Sequence, residues 1–131
     1  MANKQKTIEA QKWDLILEFF KKSFTEGDDL DLNGVIFLIG SRELGIGYKK
    51  FKKNEKMDIM HIAVCRLLEP YGFYEFDFFD EEGWPHYKLL EELPILSTGE
   101  QMVMMKKAII RYFEEEEILV QEFQEIEVQK L

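Results

Sequence analysis

Phe73–Leu90, FYEFDFFDEEGWPHYKLL, is where the periodicity of the chain changes. Tyr74, Phe76 and Phe78 alternate with Glu75 and Asp77, the two-residue repeat of a half-buried strand. Asp80–Gly83 (DEEG) reads as a turn, and Trp84–Leu90 can return as the partner strand. Pro85 has no amide hydrogen to give a neighbour, which places its strand at a sheet edge. A β-hairpin is therefore predicted in a chain whose other segments have helical spacing, and the expected class is mainly helical α+β.

Upstream, Thr7 is a suitable N-cap for a helix to about Phe24, with Ile8, Trp13, Leu15, Ile16, Leu17, Phe19, Phe20 and Phe24 on a broad apolar face. Gly27 is placed to stop it. A second helix is predicted from Asp31 to Leu44, ending at Gly45 and Gly47. Gly34 and Gly40 within it each weaken a helix by roughly 1 kcal/mol relative to Ala, so they imply close packing against a neighbour. The third helix, about Asn54 to Glu69, has Met57, Met60, Val64, Leu67 and Leu68 as its main stripe and Ile59 and Ile62 behind, a pattern that suits a central element. Pro70 stops it, and Gly72 allows the turn into the hairpin.

Downstream of Pro94, Ser97 and Glu100 form a capping-box pattern for a fourth helix with Met102, Met105, Ile109, Tyr112 and Phe113 on one stripe. Val120 and Phe123 return to that stripe if the helix continues, and a helix to about residue 124 is expected. The alternation in Ile126–Leu131 also suits a strand. The predicted order is three helices, a β-hairpin and a C-terminal helix, close to that of a winged helix.

The chain has 131 residues, 46% of them apolar, including 11 Phe, 5 Tyr and 2 Trp, enough for a packed core. Residues 1–113 read as one compact α+β domain and 114–131 as an acidic and apolar extension. The net charge is −9, and the last eighteen residues hold seven Glu against one Lys. Such a balance opposes general nucleic-acid binding. Within the body, Tyr48–Lys56 (YKKFKKNEK) is basic and Glu69–Glu82 is acidic. A single Cys leaves no internal disulfide or Cys-rich zinc module. Met1–Ala10 has no apolar signal core, and no apolar run approaches the ~18 residues a membrane helix needs. A cytoplasmic setting is expected.

Four features are candidates for chemistry. Asp29–Gly34 (DLDLNG) opens like a calcium loop, but Gly40 stands where the bidentate carboxylate belongs, so helix capping is expected instead. His61 and Cys65 are four apart on a predicted helix, too few ligands for structural zinc, and a core thiol beside a hydrogen-bonded imidazole is the simpler reading. Gly40–Gly47 (GSRELGIG) lacks the Lys-Ser/Thr of a phosphate loop. Gly83–Tyr87 (GWPHY) gathers Trp84, His86 and Tyr87 near Tyr71, either as packing or as a pocket wall. His61, Tyr71, Trp84 and His86 are accordingly the ligand or partner candidates. No catalytic residue, metal or cofactor is assigned.

Met60–Tyr74 (MHIAVCRLLEPYGFY) with Asp80–Lys88 (DEEGWPHYK) resembles small bacterial proteins grouped as domains of unknown function. The resemblance implies a soluble bacterial protein; it implies no activity and carries over no functional residue.

Three functional classes remain. A protein-interaction or adaptor module, self-associating as a homodimer or binding another protein, fits the charge patches and the absence of a catalytic constellation. Val120, Phe123 and Ile126 are its association candidates, because an isolated segment cannot bury them; folding back onto the body is the alternative. The alternative is a small-molecule binder or enzyme using His61, Tyr71, Trp84 and His86. A winged-helix DNA regulator is opposed by the charges of its recognition helix, Glu55, Lys56, Asp58, Arg66 and Glu69, and by Asp80–Glu82 at the wing tip. Neither nucleic acid nor membrane is an expected partner.

Overall fold

The computed structural model describes residues 6–24, 29–45 and 53–129. Gly27, Gly47, most of the basic Tyr48–Lys56 run and Leu131 lie outside the described residues. The elements are α1 (Ile8–Phe24), α2 (Leu32–Leu44), α3 (Lys53–Leu68), a short 3-10 turn (Glu69–Tyr71), β1 (Tyr74–Phe79), β2 (Pro85–Leu89), α4 (Thr98–Glu115) and α5 (Val120–Gln129). This is a mainly helical α+β fold: three helices, an antiparallel hairpin, then two C-terminal helices. The chain divides into two compact units, one made of Met1–Leu30 with Gly99–Leu131, the other of Asp31–Thr98.

In the second unit α2 packs on α3, and side-chain capping fixes where α2 starts. Asp31 Oδ1 accepts the Gly34 amide at 2.8 Å, so the acidic run that opens like a calcium loop serves as an N-cap. Gly45 ends α2 in the left-handed conformation. Gly40 explains itself at the contact: a Cβ there would stand 2.3 Å from the Ile59 carbonyl oxygen. The two backbones meet with no side chain between them.

That contact also selects the buried face of α3. Ile59, Ile62, Ala63, Cys65, Leu67 and Leu68 are buried, whereas Met57, placed on the main stripe by the sequence, is 66% exposed and Met60 and Val64 are only partly covered. Leu67 and Leu68 of the expected stripe are buried as expected, and Ile59 and Ile62, expected at the back, are buried with them. Ala63, one turn after Ile59, is fully buried as well, and methionine's apolarity did not reveal which side of the helix would be covered.

The hairpin pairs Tyr74 with Leu89, Glu75 with Lys88, Phe76 with Tyr87, Phe78 with His86 and Phe79 with Pro85. Asp77 is therefore an extra residue, a β-bulge. Successive residues of a strand face opposite ways, so Phe76 opposite Tyr87 and Phe78 opposite His86 lie on different faces. The sequence alternation placed Tyr74, Phe76 and Phe78 together; the bulge moves Phe78 to the other face and brings Phe79 beside Phe76, their rings 4.9 Å apart.

In the first unit, Ile16 and Phe20 of α1 and Met105, Ala108, Ile109, Tyr112 and Phe113 of α4 are buried. Phe113 meets Phe19 and Phe20 edge-on at 5.7 and 5.6 Å. Thr7 caps α1 through its hydroxyl, which accepts the Ala10 amide at 3.1 Å. The expected continuous helix to residue 124 is instead two helices. Glu117 and Leu119 have positive φ, the Ile118 amide donates to Phe113 O at 2.8 Å and the Glu117 amide to Glu114 O at 3.2 Å. These bonds form the Schellman motif, here without its usual glycine. A left-handed non-glycine residue costs roughly 1–2 kcal/mol, while burying a Phe or Ile side chain contributes roughly 1.5–3 kcal/mol each. The break brings Phe123 and Ile126 into burial, which outweighs the backbone cost.

Lys12 is the buried polar residue of α1, only 6% exposed. Its ammonium donates to Glu114 at 3.0 Å and Glu127 at 2.6 Å and stands 5.1 Å above the Phe123 ring. Burial alone would lower its pKa, but the hydrogen bonds it donates to Glu127 and Glu114, with the charges of those carboxylates, outweigh burial and hold it above the ordinary lysine value. One lysine thus ties α1 to α4 and α5.

Two stability measurements test these contacts. Gly40→Ala should lower unfolding free energy in denaturant titration by about 3 kcal/mol, because the clash is with backbone. Lys12→Ala should cost about 2–3 kcal/mol by removing a buried charge from two carboxylates, and Lys12→Met should recover part of that through its apolar stem. The Lys12 contribution should be fully present below pH 10.5 and disappear as pH rises through the elevated folded value.

Candidate functional site

α3 and the hairpin enclose a groove of about 430 Å³ lined by Glu55, Asp58, His61 and Ile62 of α3 and by Asp80, Glu82, Trp84, Pro85, His86 and Tyr87 of the hairpin. Helical spacing puts Glu55, Asp58 and Ile62 on one face at intervals of three and four residues, with His61 beside them. The opposite wall depends on the conformation of the turn.

Asp80 builds that turn. Its Oδ1 accepts the amides of Glu82 and Trp84, each at 2.9 Å, and its Oδ2 lies 2.9 Å from His86 Nε2. The backbone closes with Gly83 N–H donating to Asp80 O and Asp80 N–H to Trp84 O, both at 2.9 Å. Gly83 sits at φ 85°, a conformation that disfavours any side chain. The His86 hydrogen bond, then those from Trp84 and Glu82, hold the Asp80 carboxyl below its ordinary value. The same imidazole stacks on Phe78 with rings parallel and 4.6 Å apart. His86 is thus oriented from two sides.

Tyr87 anchors the hairpin inward. Burial, then the nearby carboxylates of Glu69 and Glu43, push its phenol up to about 12, so it stays protonated. His61 meets Tyr74 edge-on at 6.2 Å, and its Nε2 lies 3.5 Å from Cys65 Sγ. Burial pushes the Cys65 thiol up to about 11, which leaves it protonated at neutral pH and poorly suited to nucleophilic attack.

Of the ligand or partner candidates, His61, Trp84 and His86 come together in this groove. Tyr71 lies on the 3-10 turn, exposed, and does not line it. The association candidates separate: Phe123 and Ile126 are buried within the chain's own fold, the former beneath Lys12, and Val120 remains exposed. Glu55 and Asp58 entered the sequence reading only as helix charges opposed to DNA, and Tyr87 only as part of the GWPHY cluster, none of them as a site residue; the Glu55–Asp58–Ile62 spacing was the available signal. Among the described residues no three His, Cys, Asp or Glu side chains are grouped to hold a metal ion, and none of their helices is long and apolar enough to cross a membrane.

Among the described residues, the groove is lined by four acidic side chains, Glu55, Asp58, Asp80 and Glu82, and by no lysine or arginine. Indole, imidazole and phenol rings stand beside those charges. Such a lining favours a cation and can cover its aliphatic stem with aromatic surface. The sequence matches no protein-family model, no curated protein and no solved structure.

Because the folded Asp80 carboxyl is held below its ordinary value, its contribution to the turn is present above that value and lost as pH falls through the folded one. The amide signals of Glu82 and Trp84 should therefore shift together on acidification below pH 3.8. Asp80→Asn should abolish that transition in an NMR pH titration and speed amide exchange at both residues.

Proposed function

We propose that this protein is a non-catalytic protein-interaction module that captures a lysine or arginine side chain of its partner in the groove between α3 and the hairpin. The observation that carries this reading is that Glu55, Asp58, Asp80 and Glu82 line the same groove as Trp84, His61 and His86. Coulomb attraction draws the cation in, and the rings favour a long side chain over a hydrated inorganic ion. The hairpin adds exposed apolar surface nearby, with Phe78 at 50%, Phe79 at 65% and Leu89 at 53% exposure, as an interaction surface requires. Protonated Cys65 offers no activated nucleophile beside His61, which favours binding over catalysis.

Titration of the full chain with the blocked pentapeptide Ac-Thr-Val-Lys-Val-Thr-NH2, followed by NMR, should move the signals of His61, Trp84 and His86, and its glutamate counterpart should not. Binding should weaken with added salt, and Asp58→Asn should reduce affinity about fivefold, the upper range for one solvent-facing ion pair. Equal binding of the lysine and glutamate peptides would refute the proposal.

A further inference from the structure

Two imidazoles line the groove beside its acids, and their protonation bears on what the groove can hold. The four acidic side chains are not equivalent. Asp80 is committed to the turn and to His86, and Glu55 has an interaction of its own. The Asp58 and Glu82 carboxylates have no hydrogen bond or ion pair among the described residues. His61 follows Asp58 by three residues on α3, a spacing that makes the two side chains neighbours, and both line the groove. The His61 ring is exposed, with Nε2 3.5 Å from Cys65 Sγ and Tyr74 edge-on to it. Among the described residues it makes no hydrogen bond or ion pair with a carboxylate.

Imidazole is the side chain whose ordinary charge change falls between pH 5 and 8. The neighbours of His61 are a thiol, two phenols, the groove acids and one more imidazole. On α3, burial pushes the Cys65 thiol up to about 11, so it brings no charge. In the hairpin, burial and then Cys65 raise the Tyr74 phenol, and Tyr87 stands at about 12, so both stay neutral. Asp80, held below its ordinary value, stays ionised through the same range. His86 is the other imidazole, with Nε2 already engaged by Asp80 and its ring stacked on Phe78. We infer that His61 makes the groove proton-sensitive: its imidazolium becomes an internal cation beside Asp58 and displaces the lysine or arginine of the partner on mild acidification. This rests on the proposed cation-binding role of the groove. Proton and partner then compete, and each lowers the affinity for the other by the same factor.

The test compares the affinity of the full-length protein for the lysine pentapeptide at about pH 7.5 and about pH 5.5, which bracket the ordinary imidazole range. Binding should weaken about fivefold at the lower value, the upper range for one solvent-facing charge pair. In His61→Gln the ratio between the two affinities should fall below about twofold, whatever the affinity at neutral pH, while His86→Gln should keep most of it. An independent readout is the His61 ring-proton signal of the unsubstituted protein, followed by NMR. Its midpoint should move to lower pH with saturating lysine peptide. A midpoint that the bound peptide leaves in place would overturn the inference, as would a pH ratio that survives in His61→Gln and disappears in His86→Gln. If the lysine peptide is preferred over its glutamate counterpart equally at both pH values, proton control is overturned and the groove reading stands. No preference for lysine at either pH would overturn both.

Discussion

Gly40 approaches the backbone of Ile59 so closely that no side chain fits between α2 and α3, and the geometry of the second unit depends on that contact. With α2 held there, α3 buries Ile59, Ile62 and Ala63 and presents Glu55, Asp58 and His61 to the hairpin. The hairpin is then secured by Tyr87, whose phenol sits among the charges of Glu69, Glu43 and Arg66. A missing Cβ in one helix thereby determines which carboxylates of the next one reach the groove.

The groove illustrates a division of labour common in small folds. Its α3 wall is set by helical spacing and would persist with many side chains. Its hairpin wall is set by one carboxylate that gathers two amides and an imidazole. The turn is consequently both the structural hinge of the site and part of its charge. Asp80 is kept ionised by the contacts that shape the loop, so geometry and electrostatics cannot be varied separately at that position.

What the sequence disclosed was what short-range physics governs. Thr7 and Asp31 cap their helices from adjacent residues, and the alternation at Phe73–Phe79 located the hairpin. Features decided by distant partners stayed hidden. The bulge at Asp77 follows from the pairing of two strands, which alternation in one strand cannot reveal. Glu117 ends α4 in a conformation that usually advertises itself with glycine, and only the burial of Phe123 and Ile126 accounts for it. Lys12 was assigned to neither face of its helix, and its carboxylate partners lie 102 and 115 residues away. In the groove, His61, Trp84 and His86 stood out because such residues are scarce, whereas Glu55 and Asp58 were lost among 26 acidic residues.

The Lys12 tie also bears on how the chain is made. Its partners Glu114 and Glu127 follow the whole of the Asp31–Thr98 unit, so the first unit is discontinuous and cannot close until α5 has been synthesised. The second unit is contiguous and can assemble while the C-terminal helices are still in the ribosome, as domains generally do during translation. Until then α1 waits with an apolar face and an unpaired ammonium at its centre. That places the interval of greatest exposure to misassociation early in the life of each molecule, on the helix made first and completed last.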